Sequence, residues 1–346
     1  MSDSVSTNSD KFLKRTDKPK VIITDYDFGN IDVEREILES IGAQVTGMQC
    51  KDEKALFDVA HDCAAMINQY ARIGADTINR MEQCEVIARY GIGVDIVDVD
   101  RATEKGIQVT NVQDYCVEEV ADHAIAMWLT LVRKLLDYNR DTHNGIWQWQ
   151  SGQPIYRTRG RTMGVVSFGK IGQAISIRAK AFGVNVIAYD PYLPAEVAAE
   201  KDVALVSKDE LLARSDYLLM QAPMTPDTHH FLSGAEFKAM RPGAIVVNTG
   251  RGPTIDNREL YIALTDGHLS GAALDDPEEE PAKKAHWSPA DNPLFELPNV
   301  LVTPHSAYYS EESILTARET AATEVARVLT KRKPRFPVNK LTLLTA

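Results

Sequence analysis

The sequence predicts an α/β protein of two domains, each built on a parallel β-sheet. Three observations carry that expectation. The chain has 346 residues, a length that favours about two domains and can bury a sizeable core. Short, near-continuously apolar runs alternate with amphipathic stretches, the pattern of βαβ units whose strands are buried on both faces. A glycine-bearing strand-to-helix turn opens the second series of units.

The elements follow in order. VIITDY (Val21–Tyr26) reads as the first buried strand. Ile31, Val33, Ile37, Leu38 and Ile41 then recur near helical spacing, and Gly42 supplies the stop. QVTGM, a charged helix over Lys51–Ala60, AAMIN, a helix near Asp76–Gln83 and EVIARYG repeat the beat, and the first series ends near Val109–Val112. Ala121–Leu136 is expected as one long apolar helix, too hydrophobic for an ordinary surface element and suited to a domain crossing or a subunit interface. Asn144–Gly160 is expected as a loop in which Trp147 and Trp149 serve packing or dimer contact rather than cofactor contact. The second series starts at Arg161 with the strand TMGVVSF, a helix over Ile171–Phe182 and the strand NVIAYD. DYLLMQA, GAIVVN, GAALD and VLVTP are its later strands, and a last helix over Glu311–Leu329 begins behind Ser310 as N-cap.

Composition excludes several classes of function. The hydrophobic fraction is 44% and the charged fraction 25%, which rules out collagen-like and low-complexity chains. A net charge of −11 repels phosphate backbones, so no nucleic-acid partner is expected. No apolar run is long enough for a transmembrane helix, so no membrane partner is expected either. Residues 1–19 are expected to form a disordered tail, since the polar start MSDSVSTNSDKFLKRTDK lacks the apolar region of a signal peptide. Cys50, Cys63, Cys84 and Cys116 form no C-x-x-C pair and have no histidine at zinc-ligand spacing. They read as reduced structural thiols in the cytoplasm, and no metal site is expected.

The turn from Gly164 to Gly172 carries the first chemistry. Its backbone is suited to approach a pyrophosphate at a helix N-terminus, with Gly169 and Gly172 in the second and third places of G-x-G-x-x-G. Ser167 stands in the first place, where a serine is tolerated if its φ is negative. Asp190 ends the next strand eighteen residues after Gly172, placed for the adenosine ribose hydroxyls and repelling a 2′-phosphate. NAD is therefore expected over NADP.

MGVVSFGKIGQAISIRAKAFGVNVIAYDPY resembles the cofactor-binding segment of the D-isomer-specific 2-hydroxyacid dehydrogenases. NTGRG, LDDPEEEP and TPHSAYYSEES downstream, with RYGIGVDIVDVD and NVQDYCVEEVADHAIA upstream, are similar to the family's other signatures in the same order. The resemblance spans Val21 to Arg332 and lies nearest the branch of 3-phosphoglycerate dehydrogenases and C-terminal-binding-protein corepressors. It implies a Rossmann-type doubly wound cofactor domain over 117–308. A smaller flavodoxin-like α/β substrate domain would be discontinuous, made from 20–116 and 309–346. Crossings near Glu118–Leu136 and Ala307–Ile314 would form the hinge, and the active site would lie in the cleft at strand C-termini.

The activity implied is NAD-dependent interconversion of a small D-2-hydroxyacid and its 2-keto acid by hydride transfer. Of the eight histidines, His305 is best placed, directly after VLVTP, to supply the proton that the developing alkoxide needs. His123 suits core or interface, and His229 and His230 read as solvated. Glu280, five residues after Asp275 and before Pro281, is the implied carboxylate partner that favours imidazolium, while Glu278 and Glu279 read as solvated loop. Arg251 would grip the substrate carboxylate through its planar fork and polarise the keto oxygen. Tyr90, Gly91, Ile92 and Gly93 would contact the substrate from the other domain, and Tyr308 would line the pocket. For the cofactor the implied contacts are Ser167, Phe168, Gly169, Lys170, Ile171 and Gly172 with Asp190, then Ala222, Pro223 and Thr228. Thr249, Gly250, Arg251, Asp275, His305 and Val120 complete them, Asp275 accepting from the nicotinamide carboxamide.

Two departures stand out beside Ser167. Gln221 sits where the family often has histidine. The insertion Lys283–Asp291, with Trp287, suits either a pocket entrance or a surface loop. A homodimer through the cofactor domain is expected. The alternative to an enzyme is an NAD(H)-sensing, corepressor-like binding protein. Arg251, Glu280 and His305 together favour the enzyme, and Glu280 disfavours the formate-dehydrogenase branch, which generally carries glutamine there. No substrate is named by the sequence.

Overall fold

Branched and apolar runs too short for helices become parallel strands. The computed structural model describes residues 18–50, 52–281, 284 and 286–341. The tail expected over 1–19 lies outside them up to residue 17, as do Lys51 and Lys283. The chain divides into two compact units, one running through Tyr115 and resuming at Ile314, the other Cys116–Ser313.

In the first unit, β1 (Lys20–Ile23), β2 (Gln44–Gly47), β3 (Ala65–Asn68), β4 (Val86–Arg89) and β5 (Gln108–Thr110) form an all-parallel sheet. Its order, β2-β1-β3-β4-β5, is that of the flavodoxin-like fold. Val21, Ile23, Ala65 and Ile67 of the sheet share one core with Ala321, Ala322 and Val325 of helix Glu311–Leu329. Glu34, fully buried on helix Asp32–Glu39, ties these pieces together. Both its oxygens take hydrogen bonds of 2.8 Å from Arg318, and Tyr90 Oη donates to Oε1 at 2.9 Å. That bond raises Arg318 above its ordinary value, while burial beside Glu34 pushes the Tyr90 phenol well up.

Cys50, Cys63 and Cys84 are buried in the other core of this unit. Burial, with Asp25 and Asp52 nearby, pushes the Cys50 thiol up to about 11. The neighbouring Cys63 thiol and burial raise that of Cys84.

In the second unit, the strands are β6 (Thr162–Val166), β7 (Asn185–Tyr189), β8 (Ala204–Leu205), β9 (Tyr217–Met220), β10 (Ala244–Asn248), β11 (Leu269–Leu274) and β12 (Val300–Val302). They order as β12-β11-β10-β9-β6-β7-β8, all parallel, so the direction of winding reverses between β6 and β9. This is the Rossmann-type switch point, outside whose strand C-termini ligands bind. On one face, helices Val117–Val132 and Lys170–Ala181 cover the sheet around fully buried Trp128, which makes an edge contact with Tyr217 at 5.2 Å. The other face buries Leu218, Met220, Val246 and Phe237.

Several elements differ from expectation. The long apolar helix starts earlier, at Val117, and stops at Val132. Lys134 takes a left-handed φ of 54° and a second helix, Leu135–His143, departs from it, leaving Leu135 and Leu136 exposed. Neither glycine nor proline marks this break, so hydropathy alone reads through it. The expected loop contains a 3₁₀ turn at Trp149–Gly152, seated on Tyr138. Glu53–Leu56 is likewise 3₁₀ before a short helix Phe57–Ala60. Helix Val99–Glu104, which hydropathy does not announce, is nucleated by Asp98 accepting from the Arg101 N–H at 2.9 Å. The last helix spans Glu311–Leu329 as expected, with Ser310 Oγ accepting from the Ser313 N–H at 2.9 Å. Among the described residues, no helix is long and apolar enough to cross a membrane.

Arg318→Ala leaves Glu34 as an uncompensated buried carboxylate and is expected to cost about 3–5 kcal/mol of stability. Urea unfolding measures it; a loss below about 1 kcal/mol would show that the pair behaves as a surface contact.

Candidate active site

The turn after β6 is built by contacts that leave little freedom. A Cβ on Gly172 would stand 2.6 Å from the Ser167 carbonyl oxygen, so only glycine fits there. A Cβ on Gly169 would meet nothing within 4 Å, which leaves open space above the turn. Intrahelical bonding begins with the Gln173 N–H to the Gly169 oxygen, so the amides of Lys170, Ile171 and Gly172 belong to the electropositive helix start. Open space over a glycine, facing a helix N-terminus, fits a pyrophosphate.

Ser167 corrects an expectation. Its φ is +69°, not negative, so the serine occupies the left-handed region a fingerprint glycine would occupy without strain. Asp190 is also more committed than its spacing suggested. Oδ2 accepts from the Phe168 N–H at 2.9 Å, and Oδ1 from the Tyr192 and Leu193 N–H groups at 3.0 and 3.1 Å. The carboxylate thus braces the turn. The Phe168 side chain is fully buried in the core, and its amide is taken by Asp190. Val120 is buried in the first turn of its helix.

The loops after β9 and β10 lock together. Gln221 Nε2 donates to Thr249 Oγ1 at 2.7 Å, and Thr228 Oγ1 donates back to the Pro223 oxygen at 2.6 Å, with Ala222 buried between. Gly250 lies so close to the Ala222 carbonyl that a Cβ would be 3.1 Å away. At Gly252 a Cβ would come within 2.1 Å of the Pro277 oxygen. Arg251 is thus held between two close backbone approaches, its carbonyl accepting from Asn248 Nδ2 and Thr254 Oγ1.

Asp275, directly after β11, is saturated. Its carboxylate accepts from Thr303 Oγ1 at 2.6 Å and from the Ser306 and Ala307 N–H groups at 2.9 Å, and its carbonyl from the His305 N–H at 2.6 Å. The expected carboxamide acceptor is therefore also the brace of segment 303–307. His123 joins this cluster, its Nε2 3.0 Å from Thr303 Oγ1. His305 is half-buried at φ +52°, with Tyr308 in edge contact at 6.0 Å. Asp276 Oδ2 lies 3.1 Å from the His305 Nδ1, a neighbour that spacing did not suggest. Glu280 sits at φ +47° in a turn closed by its N–H to the Pro277 oxygen at 2.9 Å.

The two glutamates expected as solvated loop are engaged. Glu278 accepts from the Asn257 N–H at 3.0 Å and faces His230 Nε2, while Glu279 accepts from Asn257 Nδ2 and Asn292 Nδ2. His230 is accordingly not a solvated side chain, although His229 is exposed. The His229 and His230 rings stack at 4.0 Å and 29°, with donor atoms that lie within 4.8 Å of each other and of Glu278. Nearly parallel rings direct their in-plane lone pairs alongside one another rather than at a common ion. Trp287 of the insertion packs on Phe295 at 5.2 Å.

In the other unit, Tyr90 turns its side chain into the core to bond Glu34, so only its backbone is left for the substrate contact expected of it. The physical reason is Glu34 itself, a buried carboxylate that needs the phenol. Gly91 holds φ +140°, Ile92 is exposed and its carbonyl accepts from Asn111 Nδ2, and Gly93 follows in the same turn.

A sequence profile described as "D-isomer specific 2-hydroxyacid dehydrogenase, NAD binding domain" matches residues 125–307, more than half of the chain. The chain belongs to this family. It is 37% identical over 85% of its length to a D-3-phosphoglycerate dehydrogenase of Methanocaldococcus jannaschii, of which it covers 55%. The chain thus spans about half the length of that relative. It is 34% identical over 75% of its length to a glyoxylate reductase of Korarchaeum cryptofilum, of which it covers 78%. Among solved structures, a D-lactate dehydrogenase of Aquifex aeolicus in complex with NAD and lactic acid superposes with a TM-score of 0.83 at 27% identity, over 90% of this chain and 96% of that one. Sequence reading placed neither Asp276 against His305 nor His123 against Thr303, contacts that depend on β11 and β12 lying side by side.

Ser167→Gly is expected to raise stability by about 1 kcal/mol by relieving the left-handed serine. Thermal unfolding measures the gain. Dinucleotide titration should show little change, whereas a loss above about tenfold, ~1.4 kcal/mol, would mean the hydroxyl is a ligand contact.

Proposed function

We propose that this protein interconverts a small D-2-hydroxyacid and its 2-keto acid, using NAD(H) in preference to NADP(H). One observation carries the reading: His305 is held at a strand C-terminus, with a buried carboxylate on Nδ1, in the same unit as the pyrophosphate turn and the Arg251 loop. The relatives named above, which reduce or oxidise small hydroxy and keto acids by their names, support it.

The bound nicotinamide supplies the hydride acceptor or donor. In keto-acid reduction, His305 Nε2 gives a proton to the oxygen of the substrate as charge develops there. Arg251 grips the carboxylate bidentately and polarises the carbonyl, a task that suits a planar guanidinium held by its backbone. Glu280 is proposed as a carboxylate partner of His305, and Tyr308 as pocket wall. The backbones of Tyr90, Gly91, Ile92 and Gly93 are proposed as further carboxylate donors. Ser167 to Gly172, Ala222, Pro223, Thr228, Thr249, Gly250, Asp275 and Val120 are proposed to hold the cofactor. The Asp190 carboxylate, held near the turn, meets a 2′-phosphate as like charge, which favours NAD.

A second copy of the chain is proposed to cover the exposed Trp147 and Trp149, 86% and 67% accessible, through the cofactor-binding unit. The four reduced, buried cysteines support a cytoplasmic setting.

NADH oxidation against hydroxypyruvate, glyoxylate, phenylpyruvate and 3-phosphohydroxypyruvate tests the reading. At least one is expected to turn over with NADH clearly preferred to NADPH. Tight NADH binding with no turnover of any keto acid would replace the enzyme by a dinucleotide-sensing binding protein. His305→Gln is expected to lower kcat by on the order of 10²–10⁴ with NADH binding retained. Arg251→Lys should chiefly raise KM for the keto acid, because a point charge cannot reproduce the fork; an unchanged KM would remove Arg251 from the carboxylate.

A further inference from the structure

We propose that Cys63 and Cys84 are a redox modification site: a hydroperoxide converts the two thiols into a disulfide that joins the segments leading into β3 and β4, and added thiol reverses it.

The backbone places the pair. β3 and β4 lie in parallel register, Ala65 against Val86 and Met66 against Ile87. The pairing runs on ahead of the strands, where the Glu85 N–H donates to the Ala64 oxygen at 2.9 Å and the Glu82 N–H to the His61 oxygen at 3.3 Å. Between those two bonds, and in the same register, Cys63 stands opposite Cys84. Neighbouring strands lie about 4.8 Å apart, inside the window of about 4.4–6.8 Å that a disulfide spans between Cα atoms. Both side chains enter one core, beside Met66 and Ile87. There the Cys63 thiol is the neighbour that does most to raise the thiol of Cys84.

A single buried cysteine packs as a small hydrophobe, and nothing more is asked of it. Two cysteines face to face add a two-electron chemistry that valine or alanine in either place would lack. Cys50 shares this core but follows β2, at the opposite edge of the parallel sheet, which leaves it out of the pair.

The step balances with the peroxide as its only co-reactant. When the core around the pair opens, one thiolate attacks the peroxide, the O–O bond breaks, water or an alcohol leaves, and the sulfur becomes a sulfenic acid. On reclosing, the partner sulfur attacks that sulfur. The S–S bond forms, the S–O bond breaks, and the hydroxyl leaves as water with the proton of the second thiol. The two sulfurs lose two electrons and the peroxide gains them. Burial and the raised Cys84 thiol slow the first attack, so the pair answers sustained oxidant rather than a brief pulse. The finished link closes a loop of roughly twenty residues around helix Ala75–Arg80 and constrains the unfolded chain.

The native full chain is incubated with hydrogen peroxide, unfolded in excess maleimide and digested. The expected product is a peptide pair joined from Cys63 to Cys84, with a mass lower by two hydrogens. Two of the four cysteines should then be alkylated, and all four after dithiothreitol. Cys84→Ala should abolish the link and Cys50→Ala should leave it in place. The unfolding transition of the first unit should rise by about 5 °C in the oxidised protein.

Four alkylated cysteines after prolonged peroxide would overturn the proposal, as would sulfinic acid at either position in place of the link, or a link to Cys50 or Cys116. An oxidised protein that melts below the reduced one would show that the backbone does not fit a disulfide and would overturn it too. Should Cys84→Ala fail to fold, the peptide map of the unaltered chain decides alone.

Discussion

The Asp275 carboxylate is the interaction on which the site depends. Three donors from segment 303–307 converge on it, and its carbonyl holds the backbone of His305. A left-handed φ of +52° at a non-glycine residue costs free energy and persists only where its surroundings over-determine it. Asp275 provides that determination. The parallel sheet brings the loops after β9, β10 and β11 to one edge. Gly252 then lets the Arg251 loop close where any side chain would collide, and Gly250 packs tightly on the Ala222 carbonyl.

The first unit rests on a different bond. Its C-terminal helix arrives in sequence some 280 residues after Glu34, and the Arg318–Glu34–Tyr90 cluster gives that return a fixed place. Buried ion pairs are weak sources of stability, yet breaking one partner is costly. Such a cluster favours one docking register of the helix over others that the apolar contacts of Ala321, Ala322 and Val325 would tolerate.

Legibility tracked the range of the interaction. Gly172 was readable because a helix-packing glycine follows a local rule, and Glu311–Leu329 because its cap and its period are both local. The position of His305 just behind a strand was readable too, because the apolar run of β12 is local. What escaped depends on distant partners. Asp276 reads as one acid in a charge run, and only the return of β12 beside β11 gives it a histidine. Tyr90 was expected at the substrate but its side chain answers to Glu34, 56 residues away in sequence. Glu278 and Glu279 looked solvated because nothing nearby in sequence announces Asn257 or Asn292 as donors. The helix stop at Val132 has no punctuating residue at all.

The buried thiols of the first unit have a practical consequence. Burial raises the Cys50 and Cys84 thiols, and all three side chains are enclosed, so in the closed fold none is within reach of an electrophile. Alkylation must wait for the core around them to open, and its rate then reads the free energy of that opening. The unit thus carries its own clock for local unfolding, three hands set into one core, with Cys116 at the threshold of the other unit to be read separately.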